Sequence, residues 1–577
     1  MRARVPQILA LLAAVVVLTA VVTTAQEAAP EPAQRVGGLA FAEEVDVTVV
    51  NVDVYVRDRD GRPVKGLGVE DFKVFQNGVE MPISHFAELD EEVFRHRVTE
   101  AAQDVAVAPP TDVEKAPDEL EIKPTWVVLY IDNENIGALD RNRVLRQVRE
   151  FVTANLSDPV QMMVVSYQRS LKVAQPFTSD PHEVSNALRG MVMLTGGRDS
   201  RESTRRDLLR DIKDAVNRDY GTDSNTQEGA KLDMRQRVAA YAADEANELS
   251  FTLGALRQAV AMLSGIDGRK SVIYVSSGLP MSPGIGLMHE YAMTFHDQSI
   301  LSLRGRYDGT RLFHELNSMA NAQEVSLYTI DASGLNPLEG YDADSAYSRD
   351  PTASSLGAKD YQASLRYMAE GTGGLAVVNT NDVTAGLERI SADLFNYYSL
   401  GYTVNVLNED RVHRIEVELT GDRSYELRYR QRFVEKSIES RVQDRVFTSL
   451  MVDIDDNPMR LELEAGTPAP GSGTKWLVPI HLSVALDTVV LMTEGDELVG
   501  RLILFVGARD ETGRSSEVQR QEHEIRLPAA EYETSGRERF GFDFRLILDA
   551  GQERISVGAL DPISHQASYH SIVVAVP

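Results

Sequence analysis

The chain has 577 residues, a formal net charge of −28 at pH 7 and no cysteine. That length exceeds what one hydrophobic core supports, so several domains are expected. The acidic balance argues against a nucleic-acid binder, which needs a basic footprint, and disfavours an anionic membrane surface as partner. Without cysteine there are no disulfides and no thiolate ligands, so each domain must be held by packing.

The first residues read as a targeting segment. Arg2 and Arg4 form a positive n-region, Ile8 to Val22 an apolar stretch, and Thr23-Thr24-Ala25 a small-residue cleavage site. The apolar stretch is short of the ~20 residues a membrane span needs, so a cleaved signal peptide over 1–25 is expected, with a retained anchor as the alternative. The protein is then exported, to the periplasm or outside the cell, and no other stretch of the mature chain reads as a membrane span. Residues 26–43, rich in Ala, Pro and Glu, read as a mobile leader.

From 44 to 90 apolar residues alternate with period two, as in Val50, Val52, Val54 and Val56, and Asn77-Gly78 is the strongest hairpin signal. A small β unit is expected there. It is followed by a proline-containing linker over 91–124. From 125 to 400 apolar runs alternate with amphipathic helical patterns. The runs are Trp126–Ile131, Met162–Tyr167, Val272–Ser276, Val325–Ile330 and Leu375–Val378. Continuous apolar strands separated by helices predict an α/β doubly wound parallel sheet. Asp180-Pro181-His182-Glu183 predicts a helix start, with Pro at the first helical position. A densely charged stretch over 198–250, including Arg201, Arg205, Arg206 and Arg210, interrupts the alternation and reads as a solvated helical insertion, or as a partner-docking arm.

Strand patterns return over 401–434, and many short strands over 435–577 suggest a C-terminal β-sandwich. The strands at 44–88 are too few for a secure unit of their own. They are expected to share a sandwich with those at 401–433, the α/β segment being inserted between them.

The residues that suggest a site follow the first of the parallel-type strands. Asp132-Asn133-Glu134-Asn135 closes the run Trp126–Ile131, and a carboxylate at the carboxyl end of such a strand sits where open α/β sheets bind ligands. Oxygen ligands of this kind suit Mg²⁺ or Ca²⁺. The competing reading is that Asp132 caps the following turn or bonds backbone N–H groups. Elsewhere His289-Glu290 lacks a second histidine at zinc-binding spacing. Glu370-Gly371-Thr372-Gly373-Gly374 reads as a helix C-cap and turn. Asp453 to Glu464 has EF-hand-like carboxylate spacing, but Pro458 occupies the position that needs Gly. Asp331 ends another buried strand, as a secondary ligand or a loop cap.

Several stretches together resemble the von Willebrand factor A-type domain family, in particular bacterial VWFA-related domain proteins. They are Val69-Glu70-Asp71-Phe72, Gln76-Asn77-Gly78, Leu129-Tyr130-Ile131-Asp132, Gly268-Arg269-Lys270-Ser271, Ser276-Ser277-Gly278, Tyr328-Thr329-Ile330-Asp331-Ala332, Glu370 to Gly374 and Tyr397 to Tyr402. The resemblance covers about residues 44–434. It implies a doubly wound fold with a metal-ion-dependent adhesion site at the top of the sheet, built from Asp-x-Ser-x-Ser, a Thr and a fourth-strand Asp. Carried over, the first position is Asp132. The two serine positions hold Glu134 and Ile136, and Ile136 cannot ligate a cation. The Thr falls at Thr252 or Ser250, and the second Asp at Ser277. The site is degenerate, with Asp132, Glu134, Asn135, Thr252 and Ser277 as candidate ligands for Mg²⁺, Mn²⁺ or Ca²⁺.

The resemblance implies a non-enzymatic adhesion-type module that engages a protein partner through an acidic side chain of that partner. The alternatives are a structural envelope scaffold with an inactive site and a hydrolase using Asp132 and Glu134. No nucleophile motif or histidine cluster supports the hydrolase.

Overall fold

The computed structural model describes residues 47–90, 124–217, 224–335, 351–405, 410–421, 424–452, 456–528 and 539–577. The expected signal peptide, the leader, nearly all of the linker and the start of the EF-hand-like loop lie outside the described residues.

The chain begins with strands β1 (Val47–Arg57), β2 (Phe72–Gln76), β3 (Val79–Met81) and β4 (Ile83–Leu89). An α/β segment follows: β5 (Thr125–Asp132), α1 (Ala138–Asn155), β6 (Val160–Gln168), β7 (Ser170–Thr178), α2 (Pro181–Met191), α3 (Arg198–Asn217), α4 (Ser224–Ala261), β8 (Arg269–Ser276), α5 (Ile285–Thr294), α6 (Leu303–Arg306), α7 (Thr310–Ala322), β9 (Val325–Asp331), α8 (Pro351–Glu370), β10 (Ala376–Val377) and α9 (Thr384–Phe395). Its six strands form one sheet in the order β10-β9-β8-β5-β6-β7. All neighbours are parallel except the edge strand β7, which is antiparallel to β6.

The central strands are apolar throughout because helices cover both faces. On one face Val127, Leu129 and Ile131 pack with Val144, Leu145 and Val148 of α1 and with residues of α2 and α9. On the other, Val128 and Tyr130 pack with Leu249, Leu253 and Leu256 of α4 and with residues of α7 and α8. Asp180 caps α2, its carboxylate accepting the His182 amide at 2.7 Å, with Pro181 at the first helical position.

The return strands are β11 (Tyr397–Asn405), β12 (Arg411–Leu419), β13 (Glu426–Tyr429) and β14 (Arg432–Glu435). Two four-stranded sheets, β13-β1-β11-β4 and β14-β12-β2-β3, interleave early and late strands. Val50, Val52, Val54, Phe72 and Val74 share one core with Tyr398, Leu400, Tyr402, Ile415 and Val417. Leu89 on β4 is paired with Tyr397 on β11, so the two ends of the α/β segment meet on adjacent strands. Below the parallel sheet, Arg57 and Arg428 both bind the carboxylate of Asp393 on α9. Arg269 lies over the rings of Tyr397 and Tyr55, 4.3 and 5.3 Å from their centroids.

Helix α10 (Ile438–Ser449) leads into the last strands: β15 (Glu462–Ala465), β16 (Ala469–Pro470), β17 (Trp476–Ala485), β18 (Met492–Glu494), β19 (Glu497–Asp510), β20 (Gln519–Pro528), β21 (Arg539–Leu548), β22 (Gly551–Leu560) and β23 (Ala567–Val576). They form two antiparallel sheets with a common apolar core that includes Val478, Ile480, Leu482, Leu502, Leu504, Ile555 and Val557. The whole is a mixed α/β architecture combining one largely parallel sheet with antiparallel sheets.

The charged stretch corrects the expectation of a wholly solvated insertion. It forms two helices, and the second, α4, runs unbroken for 38 residues past position 250 to Ala261. No proline interrupts it. The inward sides of both helices are apolar: Leu208, Leu209 and Ile212 pack with Met234, Val238 and Ala242 and with Leu287, Met288 and Tyr291 of α5.

Candidate functional site

The candidate site lies at the carboxyl end of β5, beside β8. Side chains alternate faces along a strand, so Val128, Tyr130 and Asp132 point to one side. Val272, Tyr274 and Ser276 of the adjacent β8 point to the same side, with Tyr130 opposite Tyr274 and their rings 5.4 Å apart. Helix α4 crosses this face with Leu249, Thr252, Leu253 and Leu256 inward, all buried. Asp132 is therefore fully buried among tyrosines and a helix.

Both oxygens of Asp132 are engaged. Oδ1 accepts the Asn135 amide at 3.1 Å and Asn135 Nδ2 at 3.0 Å. Oδ2 accepts Asn135 Nδ2 at 2.9 Å, the Ser276 hydroxyl at 3.2 Å and the Tyr274 hydroxyl. Burial raises the Asp132 pKa; the Tyr274 and Asn135 hydrogen bonds and the charge of Arg201 oppose that rise. Burial, reinforced by the neighbouring Asp132 charge, lifts the Tyr274 hydroxyl well above its usual range, so Tyr274 remains a donor.

The other candidates divide. Asn135 Nδ2 also donates to Thr252 Oγ1 at 3.0 Å, which places Asp132, Asn135 and Thr252 in one network. Ser277 is joined through its backbone: its amide donates to the Asn135 carbonyl at 3.2 Å, and its carbonyl accepts Arg198 Nη1 at 2.9 Å. Its buried hydroxyl has no hydrogen-bond partner. The hydroxyl that reaches Asp132 is that of Ser276, one residue earlier and on the facing side of the strand. The half-buried Glu134 lies with its carboxylate against Gly197, and its backbone carbonyl accepts Arg201. Ile136 is fully buried in the apolar core on the opposite face. Asp331 caps its own loop, with Oδ1 accepting the Ser333 amide at 2.9 Å and Oδ2 accepting Gln362 at 3.2 Å.

Sequence reasoning missed the groups that close the network. Arg201, in the first turn of α3, donates from Nη2 to the Glu134 carbonyl and to Asn135 Oδ1, the latter at 2.8 Å. Arg198, three residues earlier, reaches Ser277 and lies over the Tyr361 ring at 5.0 Å. Arg141, fully buried, binds the Asn133 side chain and the carbonyls of Val192 and Leu194. The signal that could have found Tyr274 and Ser276 is strand alternation, which puts them on the same face as Asp132. Nothing in a run of mixed charges distinguishes Arg198 and Arg201 from their neighbours.

This donor set does not fit a hard cation. Magnesium or calcium needs several free oxygens around one point. Here the Asp132 oxygens accept from protein donors, Asn135 Oδ1 faces a guanidinium, Thr252 Oγ1 accepts an amide and the Glu134 carboxylate is turned toward Gly197. Among the described residues no group of three or more His, Cys, Asp and Glu side chains is placed to hold a metal.

The sequence matches no protein-family model and none of the curated proteins. Among solved structures, the chain is similar to an aerotolerance-related membrane protein from Bacteroides fragilis, at 11% identity over 47% of this chain and 98% of that one, with a TM-score of 0.22. It is similar to proximal thread matrix protein 1 of the mussel byssus with a zinc-occupied MIDAS motif, at 11% identity over 47% and 48%, TM-score 0.21. It is also similar to the pilus adhesin SpaC of Lactobacillus rhamnosus GG, at 9% identity over 79% and 53%, TM-score 0.26. Superpositions this loose leave the fold to be argued from the strand order, and the function from the site.

Proposed function

We propose that the chain is an exported, non-enzymatic protein-binding module. In this reading its parallel sheet is a von Willebrand A-like domain that engages a partner at its upper face without a resident cation. The observation that carries the proposal is the apolar rim beside the Asp132 network. Leu139, in the first turn of α1, is 87% exposed, and Met193 and Leu194 follow α2 at 88% and 38%. The two segments are adjacent: Arg141 ties α1 to the carbonyls of Val192 and Leu194, and Gly196 comes so close to Ala138 that a Cβ there would sit 2.8 Å from its nitrogen. Exposed apolar side chains at the ligand-binding end of an α/β sheet, over a rigid polar network, suit a protein surface as partner.

The buried carboxylate supports the non-enzymatic part. An acid–base role needs a group that can reach substrate and a metal-bound role needs a free oxygen, and Asp132 is enclosed with both oxygens bonded. The closed network also favours a second reading, a structural envelope scaffold. A photo-crosslinking residue placed at position 139 or 193 of the full chain, in cells that produce it, separates the two. A protein adduct of defined mass from these positions, and not from the exposed position 573 on the C-terminal sandwich, is expected for the binding module. Absence of such an adduct leaves the scaffold.

A further inference from the structure

The Asp132 network is completed from outside the α/β alternation. Arg201 belongs to α3, a helix that precedes α4, and its guanidinium is one side chain removed from Asp132. Nη2 is bonded to the oxygen of the same Asn135 amide whose nitrogen is bonded to Asp132 and Thr252. Its charge acts on Asp132 in the direction a bound cation would, favouring the ionised carboxylate. From the same turn of α3, Arg198 holds the Ser277 carbonyl, so one helix end fastens the loops that follow the adjacent strands β5 and β8. The Ser277 hydroxyl is left buried and unpartnered in this loop, an oxygen that neither arginine uses.

We propose that Arg201 holds the place of a divalent cation at this sheet top. A tethered guanidinium, relayed through Asn135, offsets the Asp132 charge and fixes the loops after β5 and β8, so the upper face is pre-formed with no metal bound. Arg201 is a positioning residue: it acts on Asp132 through Asn135. The inference deepens the proposed function of the same face. Its test reads cation dependence rather than partner capture, so the two can fail separately.

The test uses thermal melting of the full chain with Mn²⁺, EDTA or millimolar methylguanidinium. The wild-type midpoint is expected to be the same in Mn²⁺ and in EDTA. Arg201→Ala is expected to melt lower, to recover part of the loss with methylguanidinium or Mn²⁺, and to lose that recovery when Asp132→Asn is added. Arg201→Lys, which keeps the charge, is expected to fall between wild type and Arg201→Ala. Should Arg201→Ala fail to fold, Arg201→Gln, which keeps a donor for the Glu134 carbonyl without the charge, takes its place. Asp132-dependent stabilisation of wild type by Mn²⁺ would overturn the proposal. So would an Arg201 variant that neither additive shifts more than wild type, because a purely structural arginine would behave that way.

Discussion

Asp393 and Asp132 are both buried carboxylates, and the groups that face them differ. Asp393 meets two guanidinium groups directly, those of Arg57 and Arg428, and its side chain and that of Arg57 are 1% and 3% exposed. Asp132 meets neutral donors and feels a guanidinium only through Asn135. Removing Asp393 leaves the buried Arg57 and the partly buried Arg428 without their counter-ion, so Asp393→Ala should lower stability by about 3–5 kcal/mol in denaturant unfolding. Asp132 gives a different pH signature. Its native pKa is raised above the ordinary 3.8, chiefly by burial. The folded state therefore holds a proton that the unfolded state releases. This contribution is fully present below 3.8 and is lost as pH rises through the native value. Wild type should accordingly lose stability relative to Asp132→Asn as pH is raised through that interval, in paired melting curves. A difference that does not vary with pH would show that Asp132 is not held in this environment.

At the scale of elements, the loop after β8 depends on Gly278. Its φ is +85°, and an added Cβ would stand 2.5 Å from the Tyr361 carbonyl oxygen. Gly278→Ala should cost about 1–2 kcal/mol for the left-handed backbone alone, with the clash in addition. Faster hydrogen exchange at the Ser277 amide should accompany the loss. Helix α10 is the corresponding weak point of the C-terminal half. Val442 and Val446 fill a core with Ile503, Phe505, Leu560 and Tyr569, and Thr448 Oγ1 accepts the Gly265 amide at 2.8 Å from the α/β segment. Val446→Asp would bury an unpaired carboxylate in that joint. Limited proteolysis around Lys436 and Ser437 should then release the C-terminal sandwich, while the wild-type chain resists.

For the whole molecule, the sequence was legible where one periodicity ruled. The apolar runs of β5, β6, β8 and β9 and the alternating valines of β1 stand in the structure as parallel and antiparallel strands, because burial on two faces or on one leaves a distinct pattern. Asp180-Pro181 marked the start of α2 because a cap is a local device. The site was only half legible. Asp132, Asn135 and Thr252 come together, since strand end and helix face follow from local pattern. Glu134 and Ser277 turn their side chains elsewhere, which depends on how the loops fold over one another. Arg198 and Arg201 were hidden because a long-range contact leaves no trace in the spacing of charges. The same limit explains why the charged stretch read as solvated: its apolar positions gain meaning only against α5.

On the proposed reading the Asp132 network is complete without a metal. The most direct measurement is calorimetric titration of the full chain with Mg²⁺, Mn²⁺ and Ca²⁺, in parallel with Asp132→Ala. The predicted result is no saturable heat that depends on Asp132. Saturable binding by wild type that disappears in Asp132→Ala would restore a metal-dependent site at the top of the sheet.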